Sequence, residues 1–240
     1  CENLGWIKQS RIITNYADTL SDVITVAHEL GHAYHGMMIE DQQPLNREYC
    51  MPLAETASTF NENIMYNALI NDADPKNKLF LMDTQLAALC QNICDIYTRF
   101  TFEKSIFDNC ESRFMFATDL EELMLDAEKK CFGNGMDHDW LHPFRWITKV
   151  HYYIPDIAYY NFPYTFGALF SRGLYAMYEK EGKDFLPKYR ALLKASTTNT
   201  VEDTAMVAGI DLTKPDFWEA SLQSITNQMD AFLNLVKEMK

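Results

Sequence analysis

The 240-residue chain has no excess of positive charge: 21 lysines and arginines face 34 aspartates and glutamates, for a formal charge of −13. So acidic a chain has no basic footprint with which to follow a phosphate backbone, and anionic lipid surfaces repel it. No apolar run approaches the roughly 20 residues that span a bilayer. Neither nucleic acid nor a membrane is therefore an expected partner. Internal repeats, low-complexity tracts and Gly/Ser linkers are also missing, so nothing marks a domain boundary and the chain reads as one unit. The opening residues, Cys1-Glu2-Asn3-Leu4-Gly5, include no initiator Met, basic leader or apolar signal core. They read as the inside of a fold, so the chain is expected to be the carboxy-terminal piece of a longer protein. The six cysteines contain no C-x-x-C pair, and the i,i+4 spacing of Cys90 and Cys94 is not by itself a structural zinc spacing. Reduced, buried thiols in a cytoplasmic protein are the expected state.

What is present is an ordinary globular composition, 48% hydrophobic and 23% charged, with a pattern that is mainly helical. Residues 6–15, rich in Ile and closed by Asn15, carry the one convincing strand signal. Thr19-Leu-Ser-Asp22 forms a capping box before an apolar-periodic run to about Met38. Pro52 suits a first helical turn, and Leu53, Ala57, Phe60, Ile64 and Ala68 recur at helical spacing. A long helical stretch follows Pro75, broken once before Cys110. Thr118-Asp-Leu-Glu121 is a second capping box, opening a helix to about Lys130. Residues 132–163 are rich in Gly and Pro and read as loop. Helical patterns return over 164–181, 184–195, 200–208 and 215–238.

One segment outweighs the rest: Val26-Ala27-His28-Glu29-Leu30-Gly31-His32-Ala33-Tyr34-His35. On a helix, His28 and His32 lie about 40° apart and roughly 6 Å along the axis, so both imidazoles can grip one ion. Glu29 lies about 100° round from His28, where its carboxylate reaches a water on the metal's open side. This is the geometric logic of H-E-x-x-H: two neutral nitrogen ligands and a base that is not a ligand. The bland alternative is a helix with two solvated histidines. Val23, Ile24, Val26, Ala27 and Leu30 argue against it, because they make the helix largely apolar and predict buried, partnered imidazoles. A zinc hydrolase takes a third protein ligand. Position 38 is Met, so the longer H-E-x-x-H-x-x-G-x-x-H pattern fails. A glutamate from a following helix is the remaining solution, and Glu40, Glu48, Glu55 and Glu62 are the candidates. Glu55 is the best, inside the helical and weakly polar Met51–Glu62. Gly31, Ala33, Ala54 and Ala57 would let two such helices approach closely. Glu62 suits either a hydrogen bond to a ligand imidazole or the surface.

HELGHAYHG followed by PLAETASTFNE resembles the zinc metallopeptidase family of oligoendopeptidase F and thimet oligopeptidase. SRIITNYADTLSDVITVAHELGHAYHG, YYNFPYTFGALFSRGLYAMY and GIDLTKPDFW are similar to the oligoendopeptidase F branch, so the resemblance covers nearly the whole chain. It implies a mainly α, zincin-like (gluzincin) peptidase core with a minor strand element near the amino terminus. Residues 1–240 would be the carboxy-terminal part of that catalytic domain. It implies one zinc ion held by His28, His32 and Glu55, and Glu29 as general base. Members of the family have a deep channel that admits short peptides, and they are considerably longer. The amino-terminal region of the parent protein, which forms the other channel wall, would lie outside this chain.

Residues 151–167 form the second segment of interest, with eight aromatics among the nineteen residues 152–170. Aromatic clusters usually pack cores. A histidine and several tyrosines on loop-like backbone can also donate to an oxyanion. The resemblance matches His151, Tyr160 and Tyr164 to that role, with Tyr153 and Tyr159 as further peptide-contacting candidates. His35 reads as structural or as support for the metal site, and His138 and His142 as solvated loop residues. The expected activity is zinc-dependent endoproteolysis of short oligopeptides. A gluzincin metallocarboxypeptidase and a zinc-bound helical binding module without turnover are the alternatives.

Overall fold

A computed structural model describes residues 1–239. Two strands, β1 (Glu2–Leu4) and β2 (Gln9–Arg11), form an antiparallel hairpin with Asn3 opposite Ser10. Ten helices follow among the described residues: α1 (Leu20–Ile39), α2 (Met51–Ala54), α3 (Thr56–Asp72), α4 (Pro75–Cys90), α5 (Ile96–Cys110), α6 (Ala117–Phe132), α7 (Phe162–Glu181), α8 (Leu186–Ala195), α9 (Val201–Met206) and α10 (Pro215–Glu238). A single π-helical turn, Gln91–Asp95, joins α4 to α5, the break expected in that stretch. Short 3-10 turns punctuate 133–153, where the sequence reads as loop.

The strand element is real but displaced. Lys8 adopts a positive φ of 51° in the turn, and the pairing residues straddle Gly5–Lys8. Ile12 and Ile13 have no partner strand among the described residues, and Ile13 is left 95% exposed. α1 starts as expected. Thr19 Oγ1 accepts the Asp22 N–H at 3.2 Å, and the Asp22 carboxylate accepts the Thr19 N–H at 2.8 Å. α6 starts earlier than Thr118 would set it. Its cap residue is Phe116, whose N–H is taken by the Asp119 carboxylate at 2.8 Å, so the acid at the third helical position satisfies the orphan donor.

The chain divides into two compact units, where no sequence boundary was expected. One comprises Cys1–Leu86 and the chain from Phe166 onwards; the other is Ala87–Thr165. The divisions fall inside α4 and α7, so no linker composition announces them. In the first unit Leu53, Ala57, Phe60, Phe170, Leu174, Phe185, Tyr189 and Leu192 form the main core. A second cluster there joins Ile24, Tyr66, Ile70, Leu81 and Met82 to Phe232 and Leu235. The core of the other unit is smaller: Phe102, Met124 and Ala127, with Trp146 and Tyr152 against them. The cysteines are free but not buried: Cys1, Cys50, Cys90 and Cys110 are exposed, and Cys94 and Cys131 are half-buried. None of the six belongs to these cores.

Candidate metal centre

α1 packs more extensively on α3 than any other pair of elements packs together, and the crossing is close because Gly31 faces it. A β-carbon on Gly31 would lie 2.4 Å from the Ala57 carbonyl oxygen and 2.5 Å from Ser58 Cα, both backbone atoms that cannot swing aside. This contact brings the histidine stripe of α1 against the start of α3. The helix expected to run from Pro52 through Ala68 is interrupted at the candidate ligand. Glu55 is the single residue between α2 and α3, with φ −89° and ψ 0°, and so leaves the helical register. Three contacts hold it. Ser58 Oγ donates to Glu55 Oε2 at 2.8 Å, Thr59 Oγ1 donates to the Glu55 carbonyl at 2.5 Å, and Gly167 of α7 leaves room beside Glu55 Cβ.

The result is a tight triangle of donor atoms. His28 Nε2 and His32 Nε2 are 3.1 Å apart, and Glu55 Oε2 lies 3.4 Å from the first and 3.6 Å from the second. Zinc bonds of about 2.0–2.1 Å at tetrahedral angles would set neighbouring donor atoms about 3.3–3.4 Å apart, so the triangle has the dimensions of one face of a zinc tetrahedron. The tautomer fits as well. His28 Nδ1 donates to Glu62 Oε1 at 2.5 Å, so in the neutral ring the lone pair is on Nε2, which faces the common point. Two imidazole nitrogens and a carboxylate oxygen converging on one point suit a divalent cation. The donor set therefore fits zinc. Among the described residues these three form the one such cluster of His, Cys, Asp or Glu.

The two rings differ in their electrostatics. Burial, the largest influence on His28, disfavours its charged form, but the Glu62 hydrogen bond and the charges of Glu62, Glu55 and Glu29 outweigh it and raise the pKa. His32 is lowered, because burial outweighs the opposing pull of the Glu55 carboxylate. Both rings are half-buried rather than buried as the apolar flanks suggested, because Leu30 and the ligand edge of α1 are open. Glu29 is part-exposed. The other glutamate candidates stand apart: Glu40 approaches Lys8 at 3.8 Å, and Glu48 is exposed. His35, one turn beyond His32, is fully buried, stacked on Tyr49 and bonded through Nε2 to Ser196 Oγ at 2.8 Å. It is a structural residue that ties α1 to the end of α8.

The histidine and tyrosine candidates belong to the Ala87–Thr165 unit. His151 Nε2 meets Asn161 Nδ2 at 2.5 Å, and the His151 ring lies 5.8 Å from that of Tyr160. The hydroxyls of Tyr160 and Tyr164 are 3.5 Å apart. Tyr153 is exposed. Tyr159 sits at a positive φ of 57°, its N–H bonded to Glu103 and its ring against Phe100 and Phe107. His138 and His142 are exposed, as expected. Sequence reading missed Ser58, Gly167, Asn161 and Tyr152. Ser58 had a local signal, a hydroxyl three residues after Glu55. Asn161 had none, because its partner Arg99 lies 62 residues away.

A helical scaffold carrying two histidines one turn apart and a glutamate at the junction of the next two helices has the zincin-like architecture of a peptidase core. The chain belongs to peptidase family M3: the sequence profile of "Peptidase family M3" matches residues 6–224. It is 27% identical over 232 residues to "Oligopeptidase PepF" of Bacillus subtilis, covering 95% of this chain and 34% of that protein. It is 26% identical over 228 residues to "Group B oligopeptidase PepB" of Streptococcus agalactiae, covering 94% and 37% respectively. The chain thus spans about a third of the length of these curated relatives. Its fold matches a "putative peptidase" from Chlamydophila abortus with a TM-score of 0.81 at 21% identity, over 92% of this chain and 37% of that one. It matches "oligoendopeptidase-F" from Enterococcus faecium with a TM-score of 0.76 at 22% identity, over 91% and 40%. The expected resemblance and the mainly helical fold class are borne out. Among the described residues no helix is long and apolar enough to cross a membrane.

Proposed function

We propose that this chain is the metal-binding, carboxy-terminal part of a zinc-dependent endopeptidase that hydrolyses peptide bonds in short oligopeptides. The observation that carries this is the convergence of His28 Nε2, His32 Nε2 and Glu55 Oε2 within 4.8 Å of one another, in a chain of a peptidase family. The names of the relatives, oligopeptidase and oligoendopeptidase, support short peptides as substrates. The proposed stoichiometry is one zinc ion per chain. The remainder of the parent protein would supply the other wall of the cleft. Six unpaired cysteines support a cytoplasmic setting.

His28, His32 and Glu55 would hold the ion, with Glu62 orienting His28. When bound, zinc supplies Lewis acidity that polarises the scissile carbonyl and lowers the pKa of a coordinated water. The Glu29 carboxylate accepts the proton of the attacking water and delivers it to the leaving amine, serving as base and then as acid. His151, Tyr160 and Tyr164 donate hydrogen bonds to the developing oxyanion. Tyr153 and Tyr159 contact the peptide. Retention of Glu29 favours turnover over a purely structural metal module, since a structural site needs no base. An end-blocked peptide separates the endopeptidase, which cuts it, from a metallocarboxypeptidase, which does not.

The decisive experiment uses the full-length protein. Glu29→Gln is nearly isosteric but cannot accept the proton, so it should keep metal and fold while losing roughly 10²–10⁴-fold in rate. A variant retaining more than a tenth of the parental rate removes Glu29 from the mechanism. Elemental analysis of protein purified without chelator or added metal should give one zinc per chain. Undiminished zinc in Glu55→Gln would sink the third-ligand assignment.

A further inference from the structure

His151 can serve an oxyanion only through a ring nitrogen that carries hydrogen, and its neighbours determine which one does. Asn161 is buried between His151 and Arg99. Arg99 Nη1 lies 2.8 Å from Asn161 Oδ1. A guanidinium only donates, so the atom facing it must be the amide oxygen. The amide NH2 is then the group facing His151 Nε2, at 2.5 Å. An N–H cannot be directed at another N–H, so Nε2 carries a lone pair and the hydrogen of a neutral imidazole is on Nδ1.

We propose that Asn161, itself oriented by Arg99, is a positioning residue that holds His151 as the neutral Nδ1–H tautomer, so that Nδ1–H is the donor it offers. The proposal rests on the reading of His151 as a catalytic group.

Arg99 is anchored for this task. Its Nη2 pairs with Asp95 Oδ2 at 2.5 Å, Arg145 pairs with the same Asp95, and Arg145 Nη1 reaches Glu128 Oε1 at 2.8 Å. Two arginines and two buried carboxylates thus compensate one another inside the Ala87–Thr165 unit. Removing any one member would strand a buried charge, so the arrangement resists local rearrangement. Tyr152 donates its hydroxyl to the Arg99 carbonyl at 3.1 Å and packs its ring on Phe102, which ties the residue after His151 to the same platform. The electrostatics agree: burial first, and then the charges of Arg99 and Lys149, hold the His151 pKa below its ordinary value. An imidazolium would also set two N–H groups face to face at Asn161.

The test is a histidine ring ¹H–¹⁵N correlation spectrum of the full-length protein at neutral pH, with the His151 signals assigned by their loss in His151→Gln. The expected spectrum has Nδ1 protonated and Nε2 bare. The opposite tautomer in the wild-type protein overturns the proposal without any further variant. Asn161→Asp keeps the shape but replaces the donor by an acceptor. It should move hydrogen onto Nε2 and lower kcat towards the level of His151→Gln, a loss of roughly 10²–10³-fold if His151 is an oxyanion donor, with KM little changed. If His151→Gln loses rate while Asn161→Asp flips the tautomer at full kcat, the positioning role is wrong and the role of His151 survives. If His151→Gln itself keeps full kcat, the reading of His151 has failed, and that variant alone shows it.

Discussion

The metal helices and the histidine–tyrosine segment place side chains by opposite means. On α1 and α3 the backbone does the positioning. The helical repeat aligns His28 with His32, and a contact of bare backbone at Gly31 sets the crossing that brings Glu55 to them. Hydrogen bonds from Ser58 and to Glu62 then refine orientation. Between 133 and 161 the described residues form no long element, only short 3-10 turns. There a compensated set of buried charges, Asp95, Arg99, Glu128 and Arg145, fixes Asn161, and Asn161 fixes His151. A regular helix suits ligands that must share one point. A polar network suits a group whose hydrogen must be on a chosen atom.

Under the proposed function one region binds metal and the other donates to the transition state, so each should fail separately. Among variants that separate the two regions, the largest expected effect comes from Tyr160→Phe and Tyr164→Phe in the full-length protein. Each keeps its ring and loses only a hydroxyl, so zinc content and thermal stability should stay at wild-type values. If the hydroxyls serve the transition state, kcat and kcat/KM should fall together, by roughly 10²–10³-fold for an oxyanion donor. Wild-type kcat in both variants would make these tyrosines packing or rim residues and leave His151 as the sole donor.

This division also explains what could be read from the residues alone. The convergence of His28, His32 and Glu55 was legible because its information is local: i,i+4 histidines, a glutamate at the junction before the next long helix, and small residues where the helices cross. Helix starts with a side-chain cap, such as Thr19 with Asp22, were legible for the same reason. The break at Glu55 was not, since Leu53, Ala57 and Phe60 keep helical spacing through it and only the Ser58, Thr59 and Gly167 contacts show why it forms. The Arg99–Asn161–His151 chain was invisible because its members are joined across 62 residues of intervening sequence. The division into two units was equally hidden, since it cuts through α4 and α7 rather than through linkers.

A second prediction separates α1's structural histidine from its ligands. His35 is fully buried, and burial lowers its pKa from 6.5 to about 4. The neutral ring is the folded form. As pH falls below about 6.5 the unfolded chain takes up a proton that the folded chain refuses, so stability present at neutral pH is lost progressively until about pH 4. The full window is worth about 3 kcal/mol at 1.36 kcal/mol per pH unit. Denaturant unfolding at pH 7 and pH 4.5 should show His35→Gln losing markedly less stability than the wild-type chain. Equal losses would mean that His35 is protonated in the folded state without penalty.

The smallest effect should follow from Glu62→Gln. The substituted amide could still accept the His28 Nδ1 hydrogen through its carbonyl oxygen, so the ring orientation and the fold should persist. What disappears is the negative charge that makes the imidazole a better ligand. Removing such a partner of a ligand histidine costs roughly 10–100-fold in metal affinity, and retention of the hydrogen bond points to the lower end. Competition with a chelator of known zinc affinity measures this directly. The His151 tautomer should be unchanged in the same variant, because its partners Asn161 and Arg99 belong to the other unit. Unaltered zinc affinity would show that Glu62 merely occupies the space beside His28, and the metal region would then owe its ligand geometry to the helix crossing alone.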